Sequence, residues 1–564
     1  MPKFTIDGRE LEVPEGTTIM QAAHAAGIPI PHYCYHPGLS IAGNCRICLV
    51  EVEKFPKPAI ACNTVVTDGM VVRTQASSEK VKEWQESVME FLLINHPLDC
   101  PICDQAGECK LQDYSFKLGR PTTRFVEEKE HGPKRRILGP HVVFDWERCI
   151  KCTRCIRFCR EVTGTGELGM FLRGVKEEIG VFPGRPLENP YSGNVADVCP
   201  VGALTIKDTR FMPRVYFVSD VPSVCPGCAR GCSVHLGVFR NQIVRITPRE
   251  NQAINRWWIC DEGRLWGRRL ERAAANRLSG VRGPAAEAAD PWAEAVRAGA
   301  EILRGSAGRV AVVASPRAGL EETFLLARLA SGPLGGAPVY LPRHERGEDD
   351  DLLIRADKSP NRRGVELLLE ALCGGARPID ELRGALGDGR FETVLALGPG
   401  LVGPVDGEPE VLPEEALRRA PNRIVIDAHR SGFSEAATLL LPSAAFAEYD
   451  ATYVNFAGRV QAAPKGLTPH ADCRPPYMLL ADLYEHLTGD PAPAHDSVHT
   501  LISETVPAFA GIVWDDLPGS TGADLAGADA AAHACRVTGA AADMLARGWR
   551  ELPASPRGKP PWVW

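Results

Sequence analysis

Apolar and polar positions first alternate with a period of two. Two short runs, Lys3–Ile6 and Glu10–Val13, flank Asp7-Gly8, a dipeptide that favours a tight hairpin turn. The period then lengthens: Ile19, Ala22, Ala23 and Ala26 share one face of a helix predicted over Thr17–Ala26, and Gly27 supplies its stop. Leu49-Val50-Glu51-Val52 returns to a strand pattern. A longer amphipathic helix is predicted over Ser77–Ile94, with Val81, Trp84, Val88, Phe91 and Leu92 on its apolar side. Val234–Phe239 and Gln242–Ile246 predict a second hairpin. Beyond about residue 275, strands at Arg309–Ala314, Thr393–Leu397 and Arg423–Asp427 alternate with helices such as Leu320–Ala330, a rhythm that implies an α/β domain with a parallel sheet. Residues 553–564, rich in proline and tryptophan, read as an extended tail.

Composition narrows the function. The 564 residues leave room for several domains. A net charge of −7 argues against nucleic-acid binding, which would show a basic excess. Met1-Pro-Lys-Phe-Thr-Ile carries no basic region followed by an apolar run, and no apolar stretch reaches the roughly 18–20 residues of a membrane span. The expectation is a soluble, cytosolic chain. In that compartment 19 cysteines are not a disulfide framework. Sixteen of them fall within residues 1–260, and only Cys373, Cys473 and Cys535 follow. The front half is therefore read as a metal-binding region and the back half as an ordinary globular fold.

The cysteines group into four nests. Cys34, Cys45, Cys48 and Cys62 form the first, with ten residues between the first two where the plant-type [2Fe–2S] pattern has four. His96, Cys100, Cys103 and Cys109 give H-x3-C-x2-C-x5-C, in which a neutral imidazole replaces a thiolate and should tune the reduction potential. Cys149, Cys152 and Cys155 form the third, completed by Cys199 in the Cys-Pro step, as the remote cysteine completes a cube in two-cluster ferredoxins. Cys225, Cys228, Cys232 and Cys260 form the fourth. Thiolates at such short gaps suit iron–sulfur clusters, because each loop can wrap a corner of the cluster with its backbone N–H groups; structural zinc is the competing reading.

Other features carry less. Cys34-Tyr35-His36 mimics half of a Rieske site, but Cys45 and Cys48 offer no second imidazole, so His36 is read as a surface or loop residue. Cys159 stands where a second cluster would bind, yet no second C-x2-C-x2-C run accompanies it, and it is read as a buried free thiol. Arg148, Lys151, Arg154, Arg157 and Arg160 recur every three residues and are read as compensating the charge of a cluster and its acidic neighbours. Gly164-Thr-Gly166-Glu-Leu-Gly169 satisfies the dinucleotide fingerprint in letters only, since no strand precedes it.

The hairpin, helix and cysteine loop of residues 1–78 resemble a β-grasp [2Fe–2S] ferredoxin, in the variant of respiratory dehydrogenases. The Cys225–Cys260 pattern and the segment Ala447–Gln461 resemble the molybdopterin oxidoreductases. The whole order resembles the large iron–sulfur subunit of bacterial NADH:quinone oxidoreductase, respiratory complex I. The resemblance implies an α+β multidomain chain: a β-grasp domain (1–78), a [4Fe–4S] segment with one histidine and three cysteine ligands (79–120), a ferredoxin-like [4Fe–4S] domain (140–215), a molybdopterin-oxidoreductase-type [4Fe–4S] domain (218–274), a degenerate α/β molybdopterin-oxidoreductase-like domain (275–552) and the tail. It implies one [2Fe–2S] and three [4Fe–4S] clusters, no molybdopterin, FMN or NAD, and no catalytic site of the chain's own. Electrons would enter at the Cys34 nest, pass to the Cys149 nest and leave from the His96 nest, with the Cys225 nest off this path. The implied partners are the flavin/NADH-binding subunit, a two-cluster ferredoxin-like subunit and the quinone-site subunits, on the cytoplasmic side of the inner membrane. The membrane is met only through the complex. The alternatives are the catalytic subunit of a molybdenum or tungsten formate dehydrogenase, for which Cys373 is the one tempting metal ligand, and the diaphorase subunit of an NAD-linked hydrogenase.

Overall fold

The computed structural model describes residues 1–284, 286–398, 412–526 and 528, without side chains for 271–273. Cys535 and the expected tail at 553–564 lie outside the described residues. The chain forms two compact units, one spanning Met1–Val218 and one beginning at Ser219.

The first unit opens with the expected hairpin. Lys3–Ile6 pairs antiparallel with Arg9–Glu12 across Asp7 and Gly8, both at positive φ (47° and 79°) as a tight hairpin turn requires. Lys3–Ile6 also pairs in parallel with Val71–Arg73, which continues the sheet to Leu49–Val52 and Ala59–Ile60. The helix Ile19–Ala25 is held at its start by a reciprocal cap: Thr18 N–H donates to Gln21 Oε1 (2.9 Å) and Gln21 N–H to Thr18 Oγ1 (3.3 Å). It ends at Gly27, with φ +71°. Phe4, Ile6, Val50, Val52 and Val72 of the sheet pack on Ile19, Met20, Ala22 and Ala23 of the helix. This is the β-grasp arrangement, and it frames the first cysteine nest.

The next helix, Glu79–Leu93, lies within the expected bounds but buries a different stripe, Val81, Gln85 and Met89. Gln85 is inside because its amide donates to Leu49 O (3.1 Å), and Phe91, expected on the apolar side, is 76% exposed. Further along, Leu204–Ile206, Val142–Phe144 and Arg136–Ile137 form a small antiparallel sheet around the third nest. The Gly164–Gly169 run follows a π-helical turn (Phe158–Val162) and leads into the strand Leu168–Phe171. A dinucleotide site needs a strand before the glycines and a helix after them, so this one is excluded.

The second unit begins with a three-stranded antiparallel sheet, Ser219–Val224, Ser233–Phe239 and Gln242–Pro248, which contains the expected hairpin. Its α/β part is a six-stranded all-parallel sheet, in the spatial order Arg377–Pro378, Val339–Leu341, Val310–Val313, Thr393–Leu397, Asn422–Asp427, Leu439–Pro442. Successive side chains go to opposite faces: Val310, Val312, Leu395, Leu397, Ile424 and Ile426 join one core, and Ala311, Val313, Val394, Ala396 and Val425 the other. Helices Pro291–Gly305, Leu320–Ser331, Arg362–Cys373 and Pro476–Thr488 cover the first face, and Ile379–Gly387 the second. Burial on both faces explains the nearly continuous apolar runs of these strands.

Candidate functional site: four cysteine nests

In the first nest, Cys34, Cys48 and Cys62 are each 1% exposed, and Cys45 is partly buried. Cys34 N–H donates to Cys45 Sγ (3.4 Å). Hydrogen bonds from Cys45 and then Cys62 favour the thiolate at Cys34, and one from Cys62 favours it at Cys48. The same contacts push the Cys45 and Cys62 thiols up. Four sulfurs sharing so little room cannot all ionise unless positive charge sits among them, and two irons would supply that charge. The donor set fits a [2Fe–2S] cluster. His36 is in a loop, as expected, but half-buried rather than on the surface. Its Nδ1 accepts from Gly38 N–H (3.1 Å), and burial holds its pKa well below the usual imidazole range.

The second nest follows the helix Glu79–Leu93. A short helical turn, Cys100–Ile102, leads to Cys103 and then to Cys109 at the start of Lys110–Leu118. Cys103 and Cys109 are buried, Cys100 is exposed, and His96 is half-buried. Burial first, then the charges of Lys129 and Arg148, lower the His96 pKa to about 4, so the imidazole is neutral at pH 7, as a metal ligand must be. Asp99 anchors this loop, accepting from Arg148 (Nη2, 2.9 Å) and Lys134 (2.7 Å), while Arg214 donates to the carbonyls of Pro101 and Cys103. The chain returns to this nest from far away: Cys109 Sγ lies 3.9 Å from Pro200 O. A Cβ added at Gly202 would stand 2.2 Å from Cys103 Sγ. The sulfur sits in a cradle that only glycine leaves open, which fits a ligand held at a fixed position.

Cys149, Cys152, Cys155 and Cys199 come together in the third nest, close enough for the charges of Cys149, Cys152 and Cys199 to raise the pKa of others in the set. Burial is the larger cause and takes Cys199 up to about 12. Lys151 (φ 54°) and Thr153 (φ 63°) adopt the left-handed conformation inside the C-x2-C-x2-C loop, and Lys151 N–H donates to Cys149 Sγ (3.4 Å). Alternation of right- and left-handed residues turns successive N–H groups inward, an arrangement suited to anionic sulfur. Cys159 is fully buried one turn further on, where burial and the charge of Glu167 push its thiol up.

The arginines of this run do something the sequence did not disclose. Arg148 pairs with acids, Asp99 and Asp145 (3.3 Å), as expected. Arg154 and Arg157, both buried, bind carbonyls instead. Arg154 donates to Val198 O (3.1 Å) and Tyr35 O, and Arg157 to Cys34 O (2.5 Å), Cys152 O (3.3 Å) and Ser40 O. They tie the first nest's loop to the third's. Arg160 is exposed.

The fourth nest belongs to the second unit. Cys225, Cys228, Cys232 and Cys260 are all under 10% exposed. Cys225 N–H donates to Cys232 O (2.8 Å), and Gly263 N–H to Cys260 Sγ (3.3 Å). A Cβ at Gly263 would stand 2.9 Å from Cys225 Sγ. Burial takes Cys225 up to about 12, opposed in part by the charge of Lys358, which pairs with Glu262 (3.3 Å). Cys373 and Cys473 belong to none of these nests: their thiols donate to Ala327 O (3.5 Å) and Leu278 O (3.3 Å).

Known protein families match the chain in the same order. Residues 2–77 match a 2Fe-2S iron-sulfur cluster binding domain, 85–124 the NADH-ubiquinone oxidoreductase-G iron-sulfur binding region, and 139–205 the ferredoxin-like domain of NADH-quinone oxidoreductase subunit 3. Residues 219–272 match the molybdopterin oxidoreductase Fe4S4 domain and 405–486 molybdopterin oxidoreductase. The G subunit of NADH-quinone oxidoreductase from Rickettsia conorii is 41% identical over 335 residues, 58% of this chain and 49% of that protein. Its namesake from Streptomyces coelicolor is 39% identical over 357 residues, 62% of this chain and 42% of that protein. The chain thus spans about half, or less, of the length of the curated relatives it matches. A crystal structure of an NAD+-reducing [NiFe]-hydrogenase in the H2-reduced state shares 28% identity over 38% of this chain and 91% of the solved one, at a TM-score of 0.34 that supports no argument about fold. Over the part of their length that it spans, the chain is similar to the G subunits of NADH-quinone oxidoreductase, and its iron–sulfur regions match iron–sulfur family models in order.

Proposed function

We propose that this chain is an electron-relay subunit of an NADH:quinone oxidoreductase, passing electrons from a flavin subunit toward quinone-reducing subunits. The observation that carries the reading is the grouping of the front-half cysteines and His96, region by region, with iron–sulfur family models. The assigned ligands are Cys34, Cys45, Cys48 and Cys62 for a [2Fe–2S] cluster. Three [4Fe–4S] clusters take His96, Cys100, Cys103 and Cys109; Cys149, Cys152, Cys155 and Cys199; and Cys225, Cys228, Cys232 and Cys260. Bound clusters supply one-electron carriers. The chain's own residues fix the sulfurs, exclude water from most of them and aim N–H groups at them. Leu98 (90%) and Ile102 (62%), both exposed beside Cys100, suit a partner subunit covering that nest. No described helix is long and apolar enough to cross a membrane, and we place the chain peripherally, on the cytoplasmic side.

Metal analysis of the anaerobically reconstituted full chain tests the reading. Iron and acid-labile sulfide near about fourteen each per chain are expected, from one two-iron and three four-iron clusters. Stoichiometric zinc in place of iron would refute the ligand assignment. Stoichiometric molybdenum or tungsten would instead select a formate-dehydrogenase-like enzyme.

A further inference from the structure

A second, unrelated donor set lies in the α/β part of the second unit. Helix His495–Thr505 carries His495 and His499, four residues apart and therefore on one face. Opposite them is Glu321, in the first turn of Leu320–Ser331 and fully buried. One donor atom from each of the three lies within 4.8 Å of the other two. Glu321 Oε1 is 2.8 Å from His499 Nε2.

The surroundings hold these groups as ligands are held. The His499 ring is stacked on Trp514 (centroids 4.4 Å apart, planes at 5°), and Trp514 Nε1–H is itself fixed to Ser503 Oγ (2.8 Å). Glu321 Oε2 accepts from Thr452 N–H (3.1 Å), which leaves Oε1 turned to the histidines. The His495 ring lies against Tyr477, with Nδ1 3.4 Å from Asp496 Oδ1. A carboxylate on Nδ1 fixes the proton there and leaves the lone pair on Nε2. That Nε2 is buried and has no hydrogen-bond partner. A plain His499–Glu321 pair does not account for it.

We propose that Glu321, His495 and His499 form a binding site for a divalent cation of the zinc type, distinct from the iron–sulfur nests. Two imidazoles and a carboxylate are one of the ligand sets of three-ligand zinc sites, with water in the fourth position. Tetrahedral zinc needs donors about 3.3 Å apart, which small side-chain movements reach from the present spacing. The cation takes the place of the proton between His499 Nε2 and Glu321. It clamps helix His495–Thr505 to helix Leu320–Ser331, whose interacting residues His499 and Glu321 are 178 positions apart in sequence.

The experiment uses the full chain with its clusters reconstituted, stripped with a mild chelator, exposed to Zn2+ and desalted anaerobically. Retained zinc and iron are counted together, and the zinc K-edge absorption reports its ligands. The expected result is about one zinc per chain with nitrogen and oxygen ligands only, iron unchanged, and at least a roughly tenfold weaker retention in His495→Ala and His499→Ala. Wild-type protein that retains no zinc, zinc with sulfur ligands, or equal retention by well-folded variants would overturn the proposal. The wild-type spectrum decides even if a variant fails to fold, and the iron count is read separately, so this test does not depend on the electron-relay reading.

Discussion

Gly202 offers the sharpest test of the second nest. It is buried, its φ is ordinary, and an alanine there would strain nothing in the backbone. The added methyl would stand 2.2 Å from Cys103 Sγ and 3.1 Å from Gln105 Cβ, about 1.2 Å inside the 3.4 Å at which contact with the sulfur becomes ordinary. The sulfur terminates a short side chain, so in a cluster-free chain it can rotate away for about 0.5–1.5 kcal/mol, and the fold survives. A sulfur that must stay on an iron has no such escape. Gly202→Ala should therefore keep its secondary structure and unfolding cooperativity while losing about four of about fourteen irons and the EPR signal of the His96 nest. Gly263→Ala, at 2.9 Å from Cys225 Sγ, should weaken the fourth nest less severely, and Gly227→Ala, at 3.5 Å, should be tolerated. Iron, sulfide and EPR on the three variants give a graded series read from distances alone. A full iron complement and an unchanged spectrum in Gly202→Ala would show that Cys103 does not hold a cluster in this position.

His96→Cys should retain the cluster but lower its reduction potential, because an anionic thiolate replaces a neutral imidazole; an unchanged redox titration would count against ligation by His96. Arg157→Met would leave the carbonyls of Cys34, Cys152 and Ser40 without this donor. At about 1–3 kcal/mol for each unpaired buried carbonyl, the unfolding midpoint should fall by roughly 6 °C or more, and a fall under about 2 °C would show that the Arg157 tie carries little. Glu322, fully buried, has its carboxyl pushed up from 4.5 to about 7 by burial and by the charge of Glu321, despite the hydrogen bond from Tyr449 (2.7 Å). A carboxyl raised in the folded state binds its proton more tightly there than in the unfolded chain, so its contribution is full below pH 4.5 and is lost as the pH rises to about 7. Glu322→Gln should therefore gain stability relative to wild type across that window, by about 3 kcal/mol at its upper end. Denaturation at several pH values reads this, and parallel pH profiles for the two proteins would refute it.

What could be seen in the sequence is what depends on neighbours along the chain. The C-x2-C spacings, the Asp7-Gly8 turn and the alternation of β and α segments are all local, and the turn and the alternation return in the structure where the pattern predicts them. The misread positions are those whose partner arrives from a distance. The apolar side expected for Glu79–Leu93 did not include Gln85, which is inside because its amide donates to Leu49 O, 36 residues earlier. Arg154 and Arg157 were read as compensating the charge of a cluster and its acidic neighbours; their charges do favour the Cys152 thiolate, but their hydrogen bonds go to carbonyls 119 and 123 positions back, which the spacing did not reveal. Gly202 carried no signal at all, since nothing in Pro200-Val-Gly202 says that Cys103 will occupy the space beside it. His495 and His499 stand four residues apart on one helix, but the third donor, Glu321, belongs to another. Spacing therefore tells which side chains can hold a metal. Which residues around them must be glycine, or must supply a guanidinium, is decided by where the chain returns. The variant that separates a ligand nest from a merely cysteine-rich loop is accordingly at Gly202, a position a search for ligands alone would pass over.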